Sequence, residues 1–341
     1  MTQRLVLIAG GVGGAKAAEG LAQAAAERGD HLQIIGNVAD DDTFYGLQVS
    51  PDIDTLLYSL SQRVNRSQGW GLAGDSNRLQ QQLALLGASH WMKLGDLDLA
   101  THLYRTQRQQ QGDRTSDITH SLAVSLGVTT PVLLPTDDDL RTWIKTSEGW
   151  LRFQEFFVRE RCQPAVEAIE IRGLETAQAT PEAIAALEQA DVILLAPSNP
   201  LVSIDPILKV PGIQQAITRS AARCIAISPL IGGQPIKGPL DKMLKALHLP
   251  CNNIGVAQHY QQTYPGLLNA LVIDHQDHID QQAIQAQGIV TFITDTLMTC
   301  QADKVHLMQQ CLRWMDLLTT TPRSITCSTP PYASQTGAAP C

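Results

Sequence analysis

The sequence has little aromatic content and few charges: 5% Phe, Trp and Tyr, and 17% Asp, Glu, Lys and Arg. It has no basic stripe, and the net charge is −8. Binding to duplex nucleic acid needs clustered Lys and Arg to neutralise phosphates, so no nucleic-acid partner is expected. There is no run of about 18 apolar residues, so no segment is expected to span a membrane. The first apolar run, Leu5 to Ala9, is too short for a signal-peptide core, which points to a cytoplasmic location. The seven cysteines (Cys162, Cys224, Cys251, Cys300, Cys311, Cys327 and Cys341) are odd in number, scattered, and form no C-x-x-C pair. Neither a disulfide scaffold nor a zinc cluster follows from such spacing. What the chain does have is 44% hydrophobic residues over 341 positions, enough for a sizeable core.

Short apolar runs alternate with helical patterns. Candidate strands are Leu5–Ala9, Leu32–Gly36, Asp191–Ala196, Arg223–Ser228 and Leu268–Asp274, with helix-like stretches such as Ala15–Glu27, Pro181–Gln189 and Gly212–Ser220 among them. Apolar runs without alternation indicate strands covered on both faces, hence a mostly parallel, doubly wound, Rossmann-like α/β sheet. Residues 75–127 break this rhythm with three helical patterns and little strand signal, which predicts a helical insertion within a single catalytic domain over 1–320. Pro131–Arg161 reads as short strands and turns returning to the core. Residues 321–341 are rich in Thr, Pro and Ser and are expected to form a disordered tail.

Four segments carry candidate chemistry. Gly10-Gly11-Val12-Gly13-Gly14-Ala15-Lys16 follows the first strand and opens a helix. Glycines there let backbone approach a ligand, and the helix start offers free N–H groups to a phosphate. It is neither a Walker A loop, because Ala17 follows Lys16, nor a good G-x-G-x-x-G, because Lys16 takes the third glycine's place. A tight strand-to-helix turn would need the same glycines without any ligand. Asp40, Asp41 and Asp42 then stand at the end of the second strand, followed by Asp52 and Asp54. Carboxylates at that density repel unless a cation lies among them, and hard oxygens suit Mg²⁺. The plainer alternative is a solvated acidic loop with Asp52 as a helix N-cap.

Lys93 and Asp96 border a turn at Gly95, where Asp96 reads as the cap of the next helix and Arg105 as a surface residue. Ala196-Pro197-Ser198-Asn199-Pro200 ends a strand that, with two prolines, is expected to form a polar shelf rather than enter a helix directly. Ser198 and Asn199 would hold a phosphate or ribose there. Ser228 to Gly233, with Lys237, repeats this pattern after the next strand. His259 and the other histidines show no ligand spacing and read as structural.

Together these segments resemble the 2-phospho-L-lactate transferase family of coenzyme F420 biosynthesis. The resemblance rests on Gly10–Lys16, Asn37–Asp41, Ser50–Thr55, Gly69–Gly71, Leu94–Ala100, Arg105-Thr106, Phe153–Val158, Ala196–Pro200, Ser203–Leu208, Val210–Ile213 and Ser228–Gly233. It covers about residues 4–300 in order. Asn37-Val38 stands where many relatives have Asn-Thr, and Asp42-Thr43 lacks an aromatic or acidic residue common nearby. The resemblance implies a Mg²⁺-dependent transferase and a homodimer. The donor would be a guanosine diphosphate ester of 2-phospholactate or phosphoenolpyruvate, the acceptor the deazariboflavin Fo, and the leaving group GMP.

On that reading Asp40, Asp52 and Asp54 hold the metal or orient the acceptor hydroxyl, and one of them acts as base. Gly11, Gly13 and Gly14 approach the diphosphate, with Lys16 beside them. Ser198, Asn199, Gly232, Gly233 and Lys237 cradle the donor, and Lys93 and Asp96 lie near the acceptor. A UDP-sugar-binding branch of the same fold is the nearest rival, against which Pro51–Thr55, Gly69–Gly71 and Phe153–Val158 favour the transferase. An NAD-dependent dehydrogenase fits the glycine loop poorly, and a GTPase lacks the hydroxyl residue after Lys16.

Overall fold

A computed structural model describes residues 2–320, so the expected disordered tail lies outside the described residues. Seven strands form the central sheet: β1 (Arg4–Ala9), β2 (His31–Gly36), β3 (Val132–Leu133), β4 (Val192–Leu195), β5 (Arg223–Ile227), β6 (Ala270–Asp274) and β7 (Val290–Thr294). Their order is β7-β6-β5-β4-β1-β2-β3, and every adjacent pair is parallel. This is the doubly wound arrangement expected from the apolar runs. β1, β4 and β6 are almost wholly buried, because helices cover both faces of the sheet.

Two strands fall outside the five apolar runs, although β3 lies within Pro131–Arg161, where short strands returning to the core are expected. β3 has two residues, and β7 mixes exposed and buried positions because it is an edge strand with a partner on one side only. Residues after Pro131 do not all return to the core. Arg141–Thr146 lies between Gly149–Arg152 and Ala168–Arg172 in a separate antiparallel sheet. Its alternation explains this: Thr142, Ile144 and Thr146 are buried, while Arg141, Trp143 and Lys145 face outward.

Helix α1 (Gly11–Arg28) follows β1 and ends at Gly29, whose left-handed backbone (φ 72°) turns its N–H back onto Ala25 and Ala26. It packs against α2 (Pro51–Leu60) and the long helix Gln301–Thr320. Beside them lie α3 (Arg78–Leu85), α4 (Asp96–Gln110) and α5 (Thr115–Ser125). The starts of α3 and α4 cap each other. Asp75 accepts from the backbone N–H of Leu97 and Asp98 (2.9 and 3.0 Å), and Asp96 accepts from those of Arg78 and Leu79 (3.2 and 3.0 Å). Asp96 therefore caps the preceding helix rather than its own, a pairing across space that local sequence does not encode.

Candidate active site

The sheet order reverses between β1 and β4, where a crevice opens at the strands' carboxyl ends. A cleft of about 640 Å³ occupies it, lined by Gly11, Asp40, Asp52, Asp54, Ser198 and Lys237 among others. The glycine loop is shaped first by packing. A Cβ on Gly13 would lie 2.3 Å from the carbonyl oxygen of Pro197, and one on Gly14 would lie 2.9 Å from Ser198 Oγ. Gly11 and Gly13 reach the cleft, whereas Gly14 faces β1 and Ser198. Ser198 Oγ bonds the Gly10 carbonyl at 2.7 Å and accepts from the Gly10 N–H at 3.2 Å, so this hydroxyl staples the two crossing loops together.

The acidic run is divided among different partners. Asp42 pairs with Arg152. Asp41 accepts from Ser50 Oγ at 2.6 Å, and burial pushes its carboxyl up to about 7. Asp40 is buried with Oδ1 unpartnered; burial and the neighbouring Asp52 carboxylate hold its proton well above the usual carboxylate range. Asp52 accepts from Asn37 Nδ2 at 3.0 Å, and burial raises it to about 6 against the pull of that bond and of the Gly11 N–H. It lies inside the first turn of α2, with Ser50 rather than Asp52 at the cap position.

Asp54, two residues further along α2, faces different neighbours. It pairs with Arg105, and Asp54 Oδ2 lies 3.5 Å from His102 Nδ1. Asp98 stands on the other side of the ring, 3.5 Å from His102 Nε2, and accepts from Tyr58 OH at 2.8 Å. Burial raises the Asp98 carboxyl, but His102 and Tyr58 outweigh it and hold it below the ordinary value. Among the described residues, Asp54, Asp98 and His102 form a group of three whose ligand atoms lie within 4.8 Å of one another. The three predicted carboxylates are thus divided: Asp40 and Asp52 face each other, while Asp54 joins a network on α4.

Sequence reasoning missed Asp98 and His102, and it placed Arg105 on the surface. Arg105 is 1% exposed. The Asp98–His102 spacing of one helical turn puts both side chains on one face and was a readable signal. The burial of Arg105 was not, because it depends on the pair that Arg105 makes with Asp54 of α2, 51 residues away in the chain. His259 is structural, as expected, holding Asp205 at 2.9 Å.

Lys16 and Lys237 also line the cleft, with Lys16 Nζ on the carbonyl of Met298 (2.7 Å) and Lys237 Nζ on that of Gln68 (3.1 Å). Burial lowers the Lys16 ammonium below its ordinary value. The Pro-Ser-Asn-Pro segment does enter a helix at once. Asn199 accepts from the Leu201 N–H at 3.0 Å and starts the helical turn Pro200–Ile204, since Asn before Pro is a helix-start pairing. Asn199 still borders the cleft. Gly232 and Gly233 form the turn of a hairpin, Leu230–Ile231 with Gln234–Pro235, at φ 59° and 71°. Both donate their N–H to Asp277 (3.1 and 2.7 Å) rather than to the cleft. Lys93 lines the cleft and Asp96 does not. Trp70, Trp91, Met92 and Phe157 also line the cleft.

The profile of the family described as 2-phospho-L-lactate transferase CofD matches residues 5–312. A 2-phospho-L-lactate transferase of Methanosarcina mazei is 34% identical over 86% of this chain and 95% of its own. A phosphoenolpyruvate transferase of Streptomyces coelicolor is 37% identical over 87% of this chain and 93% of its own. Among solved structures, a upf0052-family protein of Bacillus halodurans superposes with a TM-score of 0.64 at 16% identity, covering 92% of this chain and all of that one. That likeness concerns the fold alone.

Proposed function

The chain belongs to the 2-phospho-L-lactate transferase family, and on that premise we propose that it acts on the deazariboflavin Fo. It would move a 2-phospholactyl or enolpyruvyl phosphate group from a guanosine diphosphate donor to the terminal ribityl hydroxyl. The hydroxyl oxygen forms the new bond to the distal phosphorus, the bond to the GMP oxygen breaks, and a cleft carboxylate takes the hydroxyl proton. The product is F420-0 or its dehydro form. The same reading makes the protein a cytoplasmic homodimer; no helix among the described residues is long and apolar enough to cross a membrane.

The observation that carries this proposal is the buried carboxylate group of the cleft, in which Asp40 Oδ1 and Asp54 Oδ2 have no hydrogen-bond partner. Buried carboxylate oxygens left unpartnered are costly, and hard oxygen donors are what Mg²⁺ takes. Asp40 and Asp52, which face each other, are the side chains that would hold the ion, while Asp54 is paired with Arg105 and grouped with Asp98 and His102. When bound, the ion would neutralise charge on the transferring phosphoryl group. One of these carboxylates would take the hydroxyl proton; burial raises Asp52 to about 6 without an ion, and a bound cation would draw it down. The start of α1 with Lys16 and Lys237 offers N–H groups and positive charge to the donor's diphosphate. Lys93 and the aromatic wall offer a flat, partly apolar face to the tricyclic acceptor.

Titrating Fo into the protein with Mg²⁺, and following Fo fluorescence, tests the proposal. Saturable binding that strengthens with GDP is expected. Tight binding of a UDP-sugar with no binding of Fo would overturn it.

A further inference from the structure

Arg105 is the only buried arginine among the described residues. A buried guanidinium is costly unless paired, and a well-packed apolar side chain would serve stability as well. Burial opposes its charge, yet the Asp54 and Asp41 carboxylates outweigh that and hold its proton above the ordinary arginine range.

Its contacts are asymmetric. The guanidinium takes Asp54 by Oδ1, lies 3.3 Å from His102 Nδ1, and donates to the Gln48 carbonyl at 3.4 Å. Asp54 Oδ2 and His102 Nε2 remain buried without hydrogen-bond partners, and both residues border the cleft. A structural ion-pair network in this protein looks different. Asp205 uses both oxygens, Oδ1 on His259 and Tyr264 and Oδ2 on Lys209, each at 2.9 Å. Arg105 fixes one oxygen of its carboxylate and leaves the other without a hydrogen bond, 3.5 Å from His102 Nδ1.

We propose that Arg105 is a positioning residue for the transfer reaction, acting through Asp54 rather than touching substrate. By clamping Oδ1 from α4 it sets the rotation of the Asp54 carboxylate, and so the place of Oδ2, which has no hydrogen-bond partner, at the wall of the cleft that Asp54 lines. This rests on the transferase reading given above. A carboxylate displaced by about 1 Å at a reacting centre costs on the order of 100-fold in rate.

The test is steady-state kinetics of Arg105→Met and Arg105→Lys, with Asp54→Asn and the double variant Arg105→Met/Asp54→Asn. Arg66→Met, which breaks the Arg66–Glu19 ion pair outside the cleft, is the structural control. Arg105→Met is expected to lose about 100-fold in kcat with the donor KM within about two-fold, and Arg105→Lys to recover part of the loss. The double variant should be no slower than Asp54→Asn alone, because residues acting as one unit are not additive. Arg66→Met should lower the melting temperature and leave kcat unchanged. Losses that add in the double variant, or wild-type kcat in Arg105→Met, would overturn the proposal. If Arg105→Met does not fold, Arg105→Lys decides: about ten-fold lower kcat at unchanged donor KM supports it, and wild-type kcat overturns it. A wild-type protein that transfers nothing to Fo would instead remove the reading beneath it.

Discussion

Asn37 Nδ2 donates to Asp52 Oδ2 at 3.0 Å, joining the end of β2 to the first turn of α2. The same amide lies 3.3 Å from the Val202 carbonyl, so one side chain ties together three segments around the crevice. Gly10 makes the junction possible: a Cβ there would stand 2.7 Å from Asp52 Oδ2 and 3.0 Å from Asn37 Cβ. The position of Asp52 thus depends on a side chain that is missing from the neighbouring loop as much as on those that are present.

Gly13→Ala should be destabilising and slow. Its Cβ would meet backbone, the Pro197 carbonyl at 2.3 Å, which cannot rotate away. A loss of about 1–3 kcal/mol is expected from the overpacking, read from urea denaturation midpoints at constant slope. A midpoint equal to wild type would show that the crossing loops are looser than this contact allows.

Asp41→Asn should stabilise the protein, and more so at higher pH. With its carboxyl at about 7 in the folded state, Asp41 keeps a proton that the unfolded chain has already released. Folded stability from this group is therefore full below about pH 4 and is lost as pH rises through about 7. Removing the ionisation should leave the variant equal to wild type near pH 4 and ahead by about 2–4 kcal/mol near pH 8. Melting curves in EDTA at both pH values check the sign; a gain confined to acid would contradict it.

Divalent ion binding should raise the melting temperature of the wild type and not that of Asp52→Ala. A ligand at 100 times its dissociation constant adds about 2.7 kcal/mol to folding stability, and stripping it with EDTA should reverse the shift. An equal Mg²⁺ response in the Asp52→Ala protein would remove Asp52 from the ion's ligands.

Lys237→Ala should weaken GDP binding by about ten-fold or more, since a charge-assisted hydrogen bond contributes about 1.5–3 kcal/mol. Fo binding in the absence of nucleotide should stay as it is. Calorimetric titration of each ligand separates the two, and a matching loss for Fo would place Lys237 on the acceptor side.

Much of this architecture is written locally. The unbroken apolar runs of β1, β4, β5 and β6 mark buried parallel strands, because every second position cannot be polar when both faces are covered. The glycine loop follows β1 and the acidic run follows β2, so the sequence by itself placed them at the carboxyl edge of a sheet. Short or half-exposed strands such as β3 and β7 carry no such signature.

Which acid faces which partner was decided by tertiary structure. Asp52 and Asp54 are neighbours on one helix, yet Asp52 meets Asn37 from β2 while Asp54 meets Arg105 from α4. Residues two apart on a helix point to different sides, and what waits on each side is set by the packing of segments distant in the chain. The same holds for Gly232 and Gly233, whose composition suggests a phosphate cradle but whose N–H groups are taken by Asp277. Residue type and local period fix the elements and their order along the chain. Long-range packing fixes which polar atoms are satisfied and which are left facing the cleft.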